Sequence, residues 1–169
     1  AAKTYGFELA QVVTMNAAIG GSVLANLVLG TDPDLTDRWE KYKKTHATIS
    51  AMFDPNTPGF KSMTTAESAA RNARLVSQVD VNKRDFLQKR VFFVNTQRDG
   101  KSNDMPFYLK DVAGFMAEQA DPNDGLVMHK DQSLTEVGTP LLEITRAGHF
   151  SLVGPYEAGT CREEFARLL

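Results

Sequence analysis

At 169 residues, 42% hydrophobic and 24% charged, with a formal net charge of −2, the chain has the makings of one domain large enough to bury a core without staples. The near-balanced charge, with no basic stripe, argues against a nucleic-acid-binding surface, and no apolar run approaches the roughly 18 residues of a membrane-spanning helix. One cysteine, Cys161, cannot form an internal disulfide, and three histidines (His46, His129 and His149) with no Cys-x-x-Cys argue against structural zinc.

The opening "AAKTYG" reads as the last turn of a helix closed by Gly6, and a helix without its beginning suggests a fragment. No signal-peptide pattern is present. "LAQVVTM", residues 9–15, is an apolar run of strand length and predicts a buried strand. After the Gly-Gly turn, "SVLANLVLG" predicts a short helix ending at Gly30. Asp32 as N-cap with Pro33 at the first helical position then opens an amphipathic helix. Its apolar face carries Leu35, Trp39, Tyr42, His46, Ile49 and Phe53.

"DPNTPGF" is a Pro- and Gly-rich loop, and Thr64 with Glu67 has capping-box spacing ahead of an Ala-rich helix. "RVFFVNT", residues 90–96, predicts a second strand, and "QRDGKSND" a loop. A helix over "PFYLKDVAGFMAEQA" places Tyr108, Val112 and Phe115 on one face. The acidic turn "ADPNDGLVMHKDQ" precedes a third strand, "TPLLEIT" at residues 139–145; "RAGHFSLVG" and a closing helix near "REEFARLL" follow. Strands separated by such long helical stretches pair in parallel through crossovers, which predicts an α/β fold. Three strands are few for a sheet covered on both faces, so part of an open sheet is expected.

In open α/β sheets, functional loops lie beyond the carboxyl ends of the strands, here residues 16–22, 97–104 and 146–152. The last holds His149. It is either a partly buried histidine satisfied by a backbone carbonyl or a general base able to take and return a proton. A carboxylate partner separates the two readings. Asp124 is one candidate, 25 positions earlier, but it also suits an ordinary Asn-Asp-Gly turn. Asp121, Asp131 and Asp99 are rivals. His129 and Lys130 read as solvated residues at a helix start, and His46 as a core or lid histidine.

"NDGLV" (Asn123–Val127), a strand some residues later and then a loop histidine resemble the end of the bacterial true lipases, triacylglycerol hydrolases of the α/β-hydrolase fold. "VVTMNAAIGGSVLANLV", "KSMTTAESAARNARLVSQ" and "RVFFVNTQRDG" resemble, at the level of pattern, that family's strand after the nucleophile helix, its post-lid helix and the next strand. The resemblance runs over most of the chain. It implies the C-terminal portion of an α/β-hydrolase fold, one domain over residues 1–169 apparently without its N-terminal half, and a cap or lid over residues 32–78. It implies Asp124 as the acid and His149 as the base of a Ser-Asp-His triad, and it suggests a secreted or periplasmic location.

The sequence departs from the family in three respects. No Gly-x-Ser-x-Gly occurs in the 169 residues, so the serine is expected upstream of Ala1 or in another polypeptide; Ser22 is the internal substitute. Ser151 stands where relatives place a calcium-binding aspartate, and the lone Cys161 excludes their disulfide. No metal and no cofactor is therefore expected. Two functional classes result. One is an ester hydrolase acting on an ester or lipid, completed by an upstream fragment or second chain, with the apolar face of residues 32–78 over an acyl pocket. The other is a non-catalytic α/β-hydrolase-like binding or scaffold module. A nucleotide-binding module lacks its glycine-rich phosphate loop.

Overall fold

In the computed structural model, the described residues are 10–45, 55–97, 107–118, 122–145, 147–149 and 166. Three strands form one parallel sheet in the order β1 (Val12–Met15), β2 (Val91–Gln97) and β3 (Thr139–Thr145). Val12 pairs with Val91 and Met15 with Val94; on the other side Phe92 pairs with Thr139 and Ile144 with Thr96. This register brings the carboxyl ends of the three strands to one edge. The loops beginning at Asn16 and after Thr145 both leave from that edge.

Helices occupy the crossovers, as parallel pairing requires. Between β1 and β2 lie α1 (Val23–Leu29), α2 (Pro33–Thr45), α3 (Pro58–Ser62), α4 (Thr65–Ser77) and α5 (Val81–Gln88). Between β2 and β3 lie α6 (Phe107–Ala117) and a short 3-10 turn, His129–Asp131. The chain signals act as chemistry dictates. Gly30 ends α1 in the left-handed conformation, with φ 62°, where a Cβ would be strained. Thr64 caps α4, its Oγ1 accepting from the Glu67 amide at 3.3 Å. Asn26 locks α1 to the start of α4: its Nδ2 donates to Thr65 Oγ1 at 2.7 Å, and its Oδ1 accepts from the Thr65 amide at 3.0 Å.

The larger core cluster joins Leu24 and Leu27 of α1, Trp39 of α2, Val112, Phe115 and Met116 of α6, and Met128. Trp39 is buried, with its ring 5.4 Å from that of Phe115 and tilted by 60°. Trp39 thus packs in the core. Of the other residues on the predicted apolar face, His46, Ile49 and Phe53 and the side chains of Leu35 and Tyr42 lie outside the described residues, as does the side chain of Tyr108. A second cluster on the sheet joins Val94, Ile144 and Ala147, with Leu142 against it.

Two expectations need correction. The first strand is not buried: Val12, Val13 and Met15 are 37%, 47% and 43% exposed. β1 is an outer strand among the described residues, so hydrophobicity alone does not bury it. The loop expected over residues 54–60 passes into α3 at Pro58, whose fixed φ suits a first helical position. Helix α5 lies where no element was expected: Val81 and Phe86 stand 74% and 51% exposed, and the Asp80 cap starts it, accepting from the Lys83 amide at 2.9 Å. The expected loop at 97–104 lies largely outside the described residues. So does the closing helix, apart from Ala166, which is helical.

Candidate functional site

The acidic turn is built by its own side chains. The Asn123 backbone pairs with Met128 in an antiparallel bridge, and the Asp124 amide donates to the Val127 carbonyl at 3.1 Å. Within that turn Asn123 Oδ1 accepts from the Gly125 amide at 2.9 Å. Asp124 Oδ1 accepts two further amides, those of Leu126 at 2.9 Å and Val127 at 2.8 Å. Gly125 sits at φ 103°, a conformation that L side chains rarely adopt. These are the turn propensities of Asn, Asp and Gly put to use.

The apolar pair beside the turn is its anchor. Val127 and Met128 are buried, and Met128 belongs to the helical core cluster, against which Leu126 also packs. Ser22, the N-terminal flank of α1, reaches across from outside, its Oγ donating to the Leu126 carbonyl at 2.8 Å. Just after β3, Ala147 is fully buried in the sheet cluster, and its amide donates to the Gln97 carbonyl at 3.2 Å. His149 therefore stands two residues beyond a pinned one.

The two loops meet. His149 Nδ1 lies 2.8 Å from Asp124 Oδ2, with the Asp124 side chain fully buried and the His149 side chain 24% exposed. The main chains meet too: the His149 amide donates to the Asp124 carbonyl at 2.7 Å. A carboxylate oxygen only accepts, so Nδ1 carries the proton of this bond and a neutral ring keeps its lone pair on Nε2. Such an arrangement can orient an imidazole and stabilise it once protonated. Burial of the carboxylate is offset by three hydrogen bonds, which is what an ion removed from water requires.

The other candidates are placed elsewhere. Asp131 packs over Gly20, where an added Cβ would come within 2.6 Å of its Oδ1. His129 stands in the 3-10 turn, with Nε2 3.7 Å from Glu143, and Lys130 beside it is exposed. Asp99, Asp121, Ser151 and Cys161 lie outside the described residues. Ser22 has φ −130° and ψ 125°, ordinary extended geometry rather than the strained elbow of a nucleophile, and its hydroxyl proton is committed to Leu126. Among the described residues no group of three or more His, Cys, Asp or Glu side chains could hold a metal ion, and no helix is long and apolar enough to cross a membrane.

Sequence reasoning did not single out Asn16, Thr96 or Gln132, all buried at this same edge. Asn16 Nδ2 donates to the His149 carbonyl at 2.7 Å, and Asn16 Oδ1 accepts from Thr96 Oγ1 at 2.8 Å. Gln132 pairs with the Thr96 backbone in both directions, at 2.7 and 2.8 Å. The one available signal is asparagine directly after a strand, a residue that tolerates left-handed geometry; Asn16 has φ 51°.

No protein-family model matches the chain, and no curated protein matches it. Among solved structures it is similar to the mature form of the Bacillus licheniformis lipase BlEst2, with a TM-score of 0.59 and 18% identity. The match covers 98% of this chain and 57% of the lipase chain, so the 169 residues span little more than half the length of that protein. At this identity the likeness establishes a fold, and the chain has an α/β-hydrolase-like one.

Proposed function

We propose that the chain carries the acid and base of a carboxylic ester hydrolase, a lipase or esterase whose serine is supplied upstream or by another chain. In this reading the serine Oγ attacks the ester carbonyl carbon while His149 Nε2 takes its proton. Collapse of the tetrahedral intermediate breaks the carbon–oxygen bond to the alcohol, which leaves with that proton. Water then attacks the acyl-serine, again giving its proton to His149, which returns it to the serine as the acid departs. Asp124 holds the Nδ1 proton and balances the imidazolium. A cap within residues 32–78 belongs to the same proposal.

The observation that carries this reading is the 2.8 Å contact between His149 Nδ1 and a fully buried Asp124 carboxylate. The similarity to a lipase adds support at the level of fold. A fluorophosphonate probe tests it on the complete protein with whatever polypeptide accompanies it. Covalent labelling that His149→Ala abolishes is expected. Absence of labelling in every assembled form would overturn the hydrolase and leave the binding or scaffold module.

A further inference from the structure

We infer that Asn16 is a positioning residue for His149, the far end of a buried relay that fixes where the imidazole stands. The inference rests on the proposed role of His149 but is carried by different contacts. The backbone of His149 is held on two sides: its amide donates to the Asp124 carbonyl at 2.7 Å, and its carbonyl accepts from Asn16 Nδ2, also at 2.7 Å. With the ring bound to Asp124, both the peptide and the side chain of this one residue are fixed by other segments.

The orientation of the Asn16 amide follows from chemistry. A backbone carbonyl only accepts, so the atom facing His149 O must be the nitrogen, and the oxygen is left to accept from Thr96 Oγ1. Thr96 cannot drift, because Gln132 accepts from its amide and donates to its carbonyl. Asn16, Thr96 and Gln132 are 5%, 0% and 1% exposed, so no bulk water competes for these bonds. Asn16 itself is held at φ 51° directly after β1, where its amide donates to the Val94 carbonyl at 3.1 Å. A non-glycine residue kept in this region carries strain that its surroundings must over-determine. The left-handed turn aims the carboxamide across the edge of the sheet at the loop after β3. Asn16 after β1, Thr96 in β2 and Gln132 after the 3-10 turn thus form one chain of bonds that ends on the carbonyl of His149.

The discriminating variants are Asn16→Gly, which withdraws the carboxamide and suits a positive φ, and Asn16→Asp, which keeps an acceptor for Thr96 and loses the donor to His149. The first readout is independent of turnover: the far-downfield proton resonance of His149 Nδ1–H in its bond to Asp124. It is expected in the wild type, and to broaden or disappear in both variants while the amide spectrum stays folded. The second readout is steady-state ester hydrolysis by the complete protein. A fall in kcat of about 10- to 100-fold with KM little changed is expected, the scale of a displaced catalytic group. In a His149→Ala background Asn16→Gly should lower residual turnover no further, because it acts only through the ring.

Should either variant fail to fold, Thr96→Val reads the same relay from its other end, by withdrawing the proton given to Asn16 Oδ1. An unchanged resonance in the folded variants overturns the positioning role even if the protein labels with fluorophosphonate. A lost resonance in a protein that never labels leaves Asn16 as the holder of His149 and removes the hydrolase alone.

Discussion

Replacing Asp124 by asparagine tests the proposed chemistry with the least disturbance of shape. The carboxylate accepts three hydrogen bonds: Leu126 and Val127 amides on Oδ1, and His149 Nδ1 on Oδ2. In the variant only the amide oxygen can receive the two backbone donors, so the NH2 group turns toward His149. Two donors cannot face each other. The ring therefore adopts the other tautomer, with its lone pair on Nδ1 and a proton on Nε2, and can no longer take a proton from serine. A loss of about 10⁴-fold in kcat is expected for an imidazole held in the wrong tautomer, equivalent to about 5 kcal/mol on the barrier. Stability should change by only about 1 kcal/mol, since the two backbone bonds persist. Asp124→Ala differs: it leaves three donors without their partner, at about 1–3 kcal/mol each. Turnover of a chromogenic short-chain ester by the complete protein, set beside thermal unfolding, separates the two effects. Wild-type kcat in a folded Asp124→Asn protein would refute the reasoning.

Three smaller perturbations have equally definite outcomes. Gly125→Ala forces a side chain into φ 103° within the turn and should cost about 1–3 kcal/mol, read as a lowered midpoint in denaturant. Ser22→Ala removes the hydroxyl bond to Leu126, about 1 kcal/mol, and should leave fluorophosphonate labelling intact; loss of labelling with an unchanged melting temperature would make Ser22 the nucleophile. Asp80 has a carboxyl held below the usual aspartate value, chiefly by the Lys83 backbone amide and then by the Lys83 side chain. Its contribution is complete above the unfolded aspartate value and is lost as pH falls through the lowered folded one. The melting temperatures of wild type and Asp80→Ala should therefore differ near neutrality and converge in acid.

Much of this molecule is legible from its residues. The strand expected at 139–145 is β3 without a shift of boundary, and Gly30 ends α1 where its position says it must. Parallel pairing follows from the lengths of chain between strands. Spacing alone left Asp124 level with Asp121, Asp131 and Asp99; the resemblance carried by "NDGLV" and the loop histidine is what paired Asp124 with His149, and the two do meet. What stayed hidden is of three kinds. Exposure depends on neighbours: "VVTM" has the composition of an interior strand, yet Val12, Val13 and Met15 stand open on a strand that is outermost among the described residues. Long-range side-chain bonds leave no periodic trace. Asn16 and Thr96 are 80 positions apart and Asn16 and His149 are 133 apart, so nothing local to any of them announces the relay. Helix α5 is a third case, begun by a cap rather than by an apolar stripe.

The bond from the His149 amide to the Asp124 carbonyl has a mechanical consequence. Because each partner's main chain grips the other's, a shift of either segment drags its companion along, and the gap between carboxylate and ring is insulated from wobble that would open two independently mounted loops. Larger breathing displaces the couple as one body. Changes in sequence along either loop are thus free to alter what surrounds the pair while the pair itself travels intact.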